Sequence, residues 1–303
     1  MTLIVLLIVL VTERVALQSS FWQAQKYLDK YLNIALPKFN DAKNGSLSLL
    51  LLVSTPAVLT ALFLHFFSNG FIYFLVSLLV LAICVGNQQA RTYYRQYLNA
   101  MGRGDKEAQL LLHDNLSQLC QDRVGKTQAS DDIQQDDSNE SDAAKEEVDT
   151  PKETIGETLI WINFVYYAVP IFYFVLLGPA GVVLYATLLH LTKHRKSHEQ
   201  DNQIDNKKLY QWLEWSFWLP SRLVSLGFMV VGHFSNGLET WLRYAADFSK
   251  SSREMLCEVA TKADHLDSQP KADNAQHMVR LTKRNMILFI VFVALLTLYG
   301  RIV

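Results

Sequence analysis

Charge is missing from two long stretches of this 303-residue chain. No Asp, Glu, Lys or Arg occurs between Lys43 and Arg91, or between Glu157 and Lys193. Uncharged runs of that length are read as membrane spans. A basic excess is also absent. The chain has 28 Lys+Arg against 29 Asp+Glu, a net charge of −1, which excludes a nucleic-acid binder. Cysteine is scarce: Cys84, Cys120 and Cys257 lie far apart. They make neither a disulfide framework nor a zinc-type CxxC pair. Cys84 sits inside an apolar run and reads as a small hydrophobe.

Catalytic signatures are missing too. There is no GxSxG, HExxH or Rossmann fingerprint. Gly125-Lys126-Thr127 has the ending of a phosphate-binding loop, but the loop's first glycine would fall on Cys120 and no strand-like run precedes it. His190, His194 and His198 share one helical face, yet Lys193, Arg195 and Lys196 surround them and would repel a cation. The residues therefore predict no metal, no cofactor and no catalytic group.

What is present is half hydrophobic (50%). The pattern predicts an all-α polytopic membrane protein of helical hairpins, with cytoplasmic helices and a disordered acidic loop. Residues 1–22 form an apolar N-terminal segment. Its first eleven residues rise about 17 Å as a helix, short of the ~30 Å hydrocarbon core. Residues 46–87 form a transmembrane hairpin turning at Ser68-Asn69-Gly70. Lys38, Lys43, Arg91 and Arg95 flank its open end, which the positive-inside rule places in the cytoplasm. Residues 88–157 are a cytoplasmic loop. Within it, 128–153 holds ten acids, two lysines and no aromatic residue, and reads as disordered.

Residues 158–192 are too long for one ordinary span. They predict a second hairpin bent near Gly178-Pro179, or one long kinked helix. Residues 207–234 carry Trp212, Trp215 and Trp218 and predict interfacial and half-spanning helices. Residues 236–284 read as cytoplasmic helices, and 285–300 as a final transmembrane helix that Arg284 and Arg301 can anchor by snorkelling.

Three charges stand out. Glu13-Arg14 lies in or at the edge of an apolar segment, where a charge is costly and tends to be paired. It reads as the end of that segment or as a buried ion pair or clamp. Arg222 follows Leu219-Pro220-Ser221, so Pro220 predicts a helix start with the arginine near its N-terminus. Arg suits bidentate recognition of phosphate or carboxylate; the alternative is an interfacial anchor.

The order and spacing of several short motifs carry a resemblance. They are Met1-Thr2-Leu3 with Glu13-Arg14, Leu159-Ile160-Trp161-Ile162-Asn163-Phe164 leading to Pro170, and Trp215. Then come Leu219-Pro220-Ser221-Arg222-Leu223, Gly232-His233, and Leu295 to Gly300. With these the chain resembles the AmpE family, inner-membrane proteins of Gram-negative bacteria. The resemblance implies a regulatory or sensory accessory in β-lactamase induction and cell-wall recycling. It also implies a distant similarity to the cobalamin-biosynthesis adenosylcobinamide-phosphate synthases, which form an amide using ATP. Pro220-Ser221-Arg222-Leu223 is similar to their Pro-Ala-Arg-Leu element. Their acidic residues before the position of Pro170 are replaced here by Trp161 to Tyr167.

The expected function is a non-enzymatic regulator of the inner membrane. Its site would be Glu13, Arg14, Trp161, Asn163, Trp215 and Arg222, binding an anionic small molecule or peptidoglycan-derived ligand without turnover. The expected partners are the lipid bilayer and other inner-membrane proteins. A membrane enzyme of the synthase type and a scaffold for partner membrane proteins are the alternatives.

Overall fold

The computed structural model describes residues 2–15, 24–40, 45–66, 70–119, 154–197, 203–245, 250–264 and 274–299. The acidic stretch 128–153 lies outside them. Among the described residues there is no strand. The helices are α1 (Thr2–Val15), α2 (Ala24–Asn40), α3 (Gly45–Phe66), α4 (Gly70–Cys84), α5 (Gln88–Arg103) and α6 (Lys106–Leu119). They continue as α7 (Ile155–Asn163), α8 (Val169–Ser197), α9 (Gln203–Val231), α10 (Phe234–Ala245), α11 (Ser252–Ala263) and α12 (Asn274–Leu298). A five-residue π-helix, Phe164–Ala168, joins α7 to α8.

Among the described residues three segments are long and apolar enough to cross a membrane: Ser48–Phe66, Ile155–His194 and Gln276–Leu298. The helices α4 and α5, bent by 45° from one another, add a fourth if taken together. This is an all-α membrane protein. Between their polar ends the spans expose apolar residues, as in Leu51, Leu59 and Leu62 of α3 or Ile287, Val291 and Leu295 of α12. That is the pattern of a surface that meets acyl chains rather than water.

Local sequence explains the breaks. Gly178 (φ 69, ψ −159), with Pro179 behind it, reverses the chain inside α8. The reversal brings Tyr185 back onto Tyr173, rings stacked at 5.6 Å, and lets the Tyr185 hydroxyl donate to the Val165 carbonyl at 2.8 Å. A straight helix would separate residues twenty apart by about 30 Å. α7 starts with a capping box in which the Thr154 side chain and Glu157 satisfy each other's backbone N–H. The Asn87 side chain accepts from Gln89 and Ala90 N–H and opens α5, and Gly104 (φ 73) closes it.

The sequence placed a helix start at Pro220. The structure instead runs α9 unbroken from Gln203 to Val231 with Pro220 inside it. A helix-interior proline leaves the carbonyl four residues back without its donor. For Pro220 that carbonyl is Ser216, and the Tyr173 hydroxyl takes it at 3.1 Å. Pro56 of α3 is treated alike: the Leu52 carbonyl accepts from the Tyr31 hydroxyl at 3.0 Å. Hydroxyls from neighbouring helices replace the missing N–H groups, so neither proline ends its helix.

The core is built around an aromatic cluster at the α7–α8 junction. Trp161 stacks on Phe164 at 5.2 Å and meets Phe217 edge-on at 5.2 Å, and Tyr185 closes the group. A second cluster joins Val5, Leu6 and Val9 of α1 to Leu81 and Ala82 of α4 and to Ile171 and Phe174 of α8. This second cluster fixes the end of α1 against the joint between α4 and α5.

Candidate functional site

At that joint the chain leaves helical geometry for three residues. Gly86 has φ 94, a conformation disfavoured for residues with a Cβ. A Cβ there would also lie 2.5 Å from Glu13 Oε1. The glycine therefore serves two needs, the turn of the backbone and the close approach of a carboxylate.

Glu13 is buried, with 9% of its side chain exposed, near the C-terminal end of α1. A carboxylate at that end of a helix faces the unfavourable pole of the helix dipole. Arg91, in the first turn of α5, supplies the compensation. Its guanidinium forms an ion pair with Glu13 Oε1 and donates to the Glu13 backbone carbonyl at 3.0 Å. Tyr167 completes the group: its hydroxyl donates to Glu13 Oε1 at 2.7 Å and accepts from Arg91 Nε at 3.0 Å. Arg91 keeps 35% of its side chain exposed, so the pair is open to the outside through the cation.

Tyr167 reaches this position because it lies in the π-helix. One extra residue in the turn shifts the register, and such turns are frequent at functional sites. Its neighbour Tyr166 points to a second cation. Lys193 Nζ donates to the Tyr166 hydroxyl and to the Leu119 carbonyl, the latter at 3.0 Å. Consecutive tyrosines of the π-helix thus hold the two ends of the α5–α6 unit, one through Arg91 and one through Lys193.

Those expected residues whose side chains are described do not gather into one site. Glu13 is in the ion pair above, and its partner is Arg91 rather than the adjacent Arg14. The Arg14 side chain lies outside the described residues. Asn163 is half-buried at the last turn of α7. Trp161 is 1% exposed inside the aromatic cluster, with the Arg253 guanidinium over its ring at 5.6 Å. Its indole N–H has no hydrogen-bond partner. Trp215 is 80% exposed.

Arg222 is buried at 8% exposure on α9. It does not lie at a helix N-terminus. Its guanidinium donates to the carbonyls of Trp218 (3.1 Å), Tyr244 (3.2 Å) and Ala245 (3.5 Å), and lies 4.4 Å over the Trp218 ring. Tyr244 and Ala245 end α10, so Arg222 caps that helix at the pole where a cation is favoured. Arg222, Trp161 and Trp215 therefore belong to three places: a helix cap, a core and a surface.

Sequence reasoning missed Gly86, Arg91, Tyr166, Tyr167 and Lys193. One signal was available: Gly86-Asn87 interrupts an apolar run just before the first cation that follows it, Arg91. Among the described residues no group of three or more His, Cys, Asp or Glu side chains is placed to hold a metal ion.

Comparison with known proteins gives a consistent answer. Protein AmpE of Shigella flexneri is 25% identical over 319 aligned positions that cover all of both chains. No solved structure matches the chain. The family described as "Regulatory signalling modulator protein AmpE" matches residues 1–303, from the first residue of α1's segment to the last after α12. By that full-length match the chain belongs to the AmpE family of regulatory signalling modulators.

Proposed function

We propose that the protein is an inner-membrane regulator of β-lactamase induction and cell-wall recycling that senses an anionic, peptidoglycan-derived ligand at Arg91 without turning it over. The observation that carries this reading is the buried Glu13–Arg91–Tyr167 group at the α4–α5 joint. A buried charge pair is weak as a stabilising device, and its best-attested use is to specify or switch a conformation. Here the switch has a lever. α5 and α6 pack on each other as a cytoplasmic hairpin, held at Arg91 at one end and at Leu119 at the other. An anion competing with Glu13 for the exposed side of Arg91 would loosen the first hold. α6 ends at Leu119, just ahead of the acidic segment 128–153, so movement of the hairpin reaches the part of the chain richest in charge.

The test uses a strain lacking the gene, complemented with wild type, Arg91→Ala or Arg91→Lys. The readout is β-lactamase activity induced by a β-lactam, with membrane levels of each protein measured in parallel. The expected result is altered induction with Arg91→Ala at wild-type membrane level. Arg91→Lys is expected to fail as well, because a single compact ammonium cannot span the three acceptors that Nε and the two terminal nitrogens of the guanidinium reach separately. Equal induction by all three would reject Arg91 as the sensing residue.

A further inference from the structure

The exposed positions of α9 fall on a single stripe at helical spacing. They read Lys207 and Gln211, then Trp215, then Leu219, Leu223, Leu226 and Val230. Beyond Gln211 every exposed position of this helix is apolar. The change from polar to apolar falls at a tryptophan, the residue that favours the boundary between water and hydrocarbon. From Trp215 to Val230 the stripe is about 22 Å long.

A stripe of that length could dive across a bilayer or lie along it. Two observations decide. First, α9 is not among the helices long and apolar enough to cross. Second, its middle and its far end are held at the same side of the bundle. Phe217 packs on Trp161 and Phe164, next to the π-helix that carries the Arg91 and Lys193 contacts. Past the far end, His233 N–H donates to the Ala263 carbonyl of α11 at 2.8 Å. α11 in turn meets the polar start of α7, where Cys257 Sγ donates to the Glu157 carbonyl at 3.8 Å. Both regions are therefore tied to α7 and the π-helix, the second through α11.

The stripe continues onto α10, a helix with one apolar and one polar face. Phe234 and Leu242 are exposed on the first, Asn236, Glu239 and Arg243 on the second. It also continues onto a span. Asn285 of α12 donates to the Val224 carbonyl at 2.9 Å, and Ile287, two residues further along α12, is exposed.

We propose that the Trp215–Val230 stripe and the Phe234/Leu242 face of α10 lie in the plane of the membrane, embedded in the acyl chains of the leaflet next to Arg91 and Lys193. The occupant of this apolar surface is phospholipid hydrocarbon. The alternatives, a second copy of the chain or a crossing helix, are outcomes of the test. In-plane insertion of this kind needs an apolar face with a polar one behind it, and its strength scales with the apolar area buried. It would couple the α9–α10–α11 unit to the packing of one leaflet.

The experiment places single cysteines at 207, 211, 219, 223, 226 and 230, one at a time, in the full-length chain with Cys84, Cys120 and Cys257 changed to Ser. Each variant is spin-labelled and reconstituted in phospholipid nanodiscs. Collision with oxygen, which concentrates in hydrocarbon, is compared with collision with a water-soluble nickel chelate. Positions 219 to 230 are expected to favour oxygen at depths differing by no more than about one helical turn, ~5 Å. Positions 207 and 211 are expected to favour nickel. Depth increasing steadily by about 16 Å from 219 to 230 would show a crossing helix and overturn the proposal. So would nickel access at 219–230, or exclusion of both reagents by a protein partner. Quenching of wild-type tryptophan fluorescence by lipids brominated at different depths, compared with Trp215→Phe, repeats the test with native cysteines. Loss of quenching by shallow bromines in that variant is the expected result, and an unchanged quenching profile would overturn the boundary position of Trp215.

Discussion

Replacing Arg91 with Ala should cost more than removing an ordinary surface arginine. The Glu13 carboxylate stays buried at 9% side-chain exposure and keeps only the Tyr167 hydroxyl. Breaking a fully buried pair costs about 3–5 kcal/mol, because the remaining charge is uncompensated. Arg91 is 35% exposed, and solvent screening lowers the expected loss to about 2–3 kcal/mol. Glu13→Gln alone is expected to cost less, since the cation it abandons can turn to water. In the double variant Glu13→Gln/Arg91→Ala no buried charge is left, so most of the loss should be recovered.

Stability of wild type, both single variants and the double variant is measured by denaturant unfolding in one detergent, followed by circular dichroism. The expected coupling energy between the two positions is at least about 1 kcal/mol. Additive single effects would show that the ion pair does not hold the joint. The mechanism proposed for Arg91 would fall with it, because a ligand cannot release a latch that carries no energy.

Three further outcomes are expected. Tyr173→Phe leaves the Ser216 carbonyl without a donor and should destabilise by about 1–3 kcal/mol, but should be nearly neutral in Pro220→Ala, where the restored N–H takes that carbonyl; unfolding of the four variants checks it. Gly227→Ala would set a Cβ 2.2 Å from Asn285 Oδ1 and should cost about 1–3 kcal/mol, and adding Asn285→Ala should restore part of the loss in the same unfolding assay. Burial, then the hydrogen bond and charge of Glu258 and the charge of Glu254, push the Tyr244 hydroxyl from 10.0 up to about 12. The folded protein therefore keeps a proton that the unfolded chain releases, so this contribution is intact below pH 10 and is lost as pH rises towards 12; the alkaline decline in unfolding midpoint should flatten in Tyr244→Phe.

The fold class was legible because charge is expensive in hydrocarbon, so uncharged runs mark spans without any tertiary information. Gly178-Pro179 was legible as a break for the same local reason: one residue lacks a Cβ and the next lacks an N–H. The site was less legible because its energy comes from contacts between distant residues. Glu13 was found by its cost, but sequence adjacency suggested Arg14 as a partner. Adjacent residues on a helix do not face each other. The actual cation lies 78 residues on, brought in by the α4–α5 joint. Arg222 was misread through the same limit. Its chemistry of many donors was read correctly, but the acceptors are the carbonyls at the end of α10, which no local pattern announces.

Proline shows most clearly why local rules mislead here. Pro56 and Pro220 each free a backbone carbonyl, and each freed carbonyl is taken by a donor from elsewhere in the chain. Leu52 takes Tyr31, and Ser216 takes Tyr173. The π-helix and Pro170 together leave two carbonyls to outside donors: the Tyr185 hydroxyl takes Val165 at 2.8 Å and the Gly86 N–H takes Tyr166 at 2.9 Å. The shift of hydrogen-bond register over the π-helix and Pro170 therefore supplies the acceptor that pins the α4–α5 joint, and the same π-helix aims Tyr167 at the ion pair beside it. A proline read only as a helix breaker is here the point where two helices are fastened together. That fastening places Gly86, and with it Arg91, within reach of Glu13. The candidate site thus follows from the shifted hydrogen-bond register around the π-helix and Pro170 and from a missing Cβ at position 86, with the charges arranged around them.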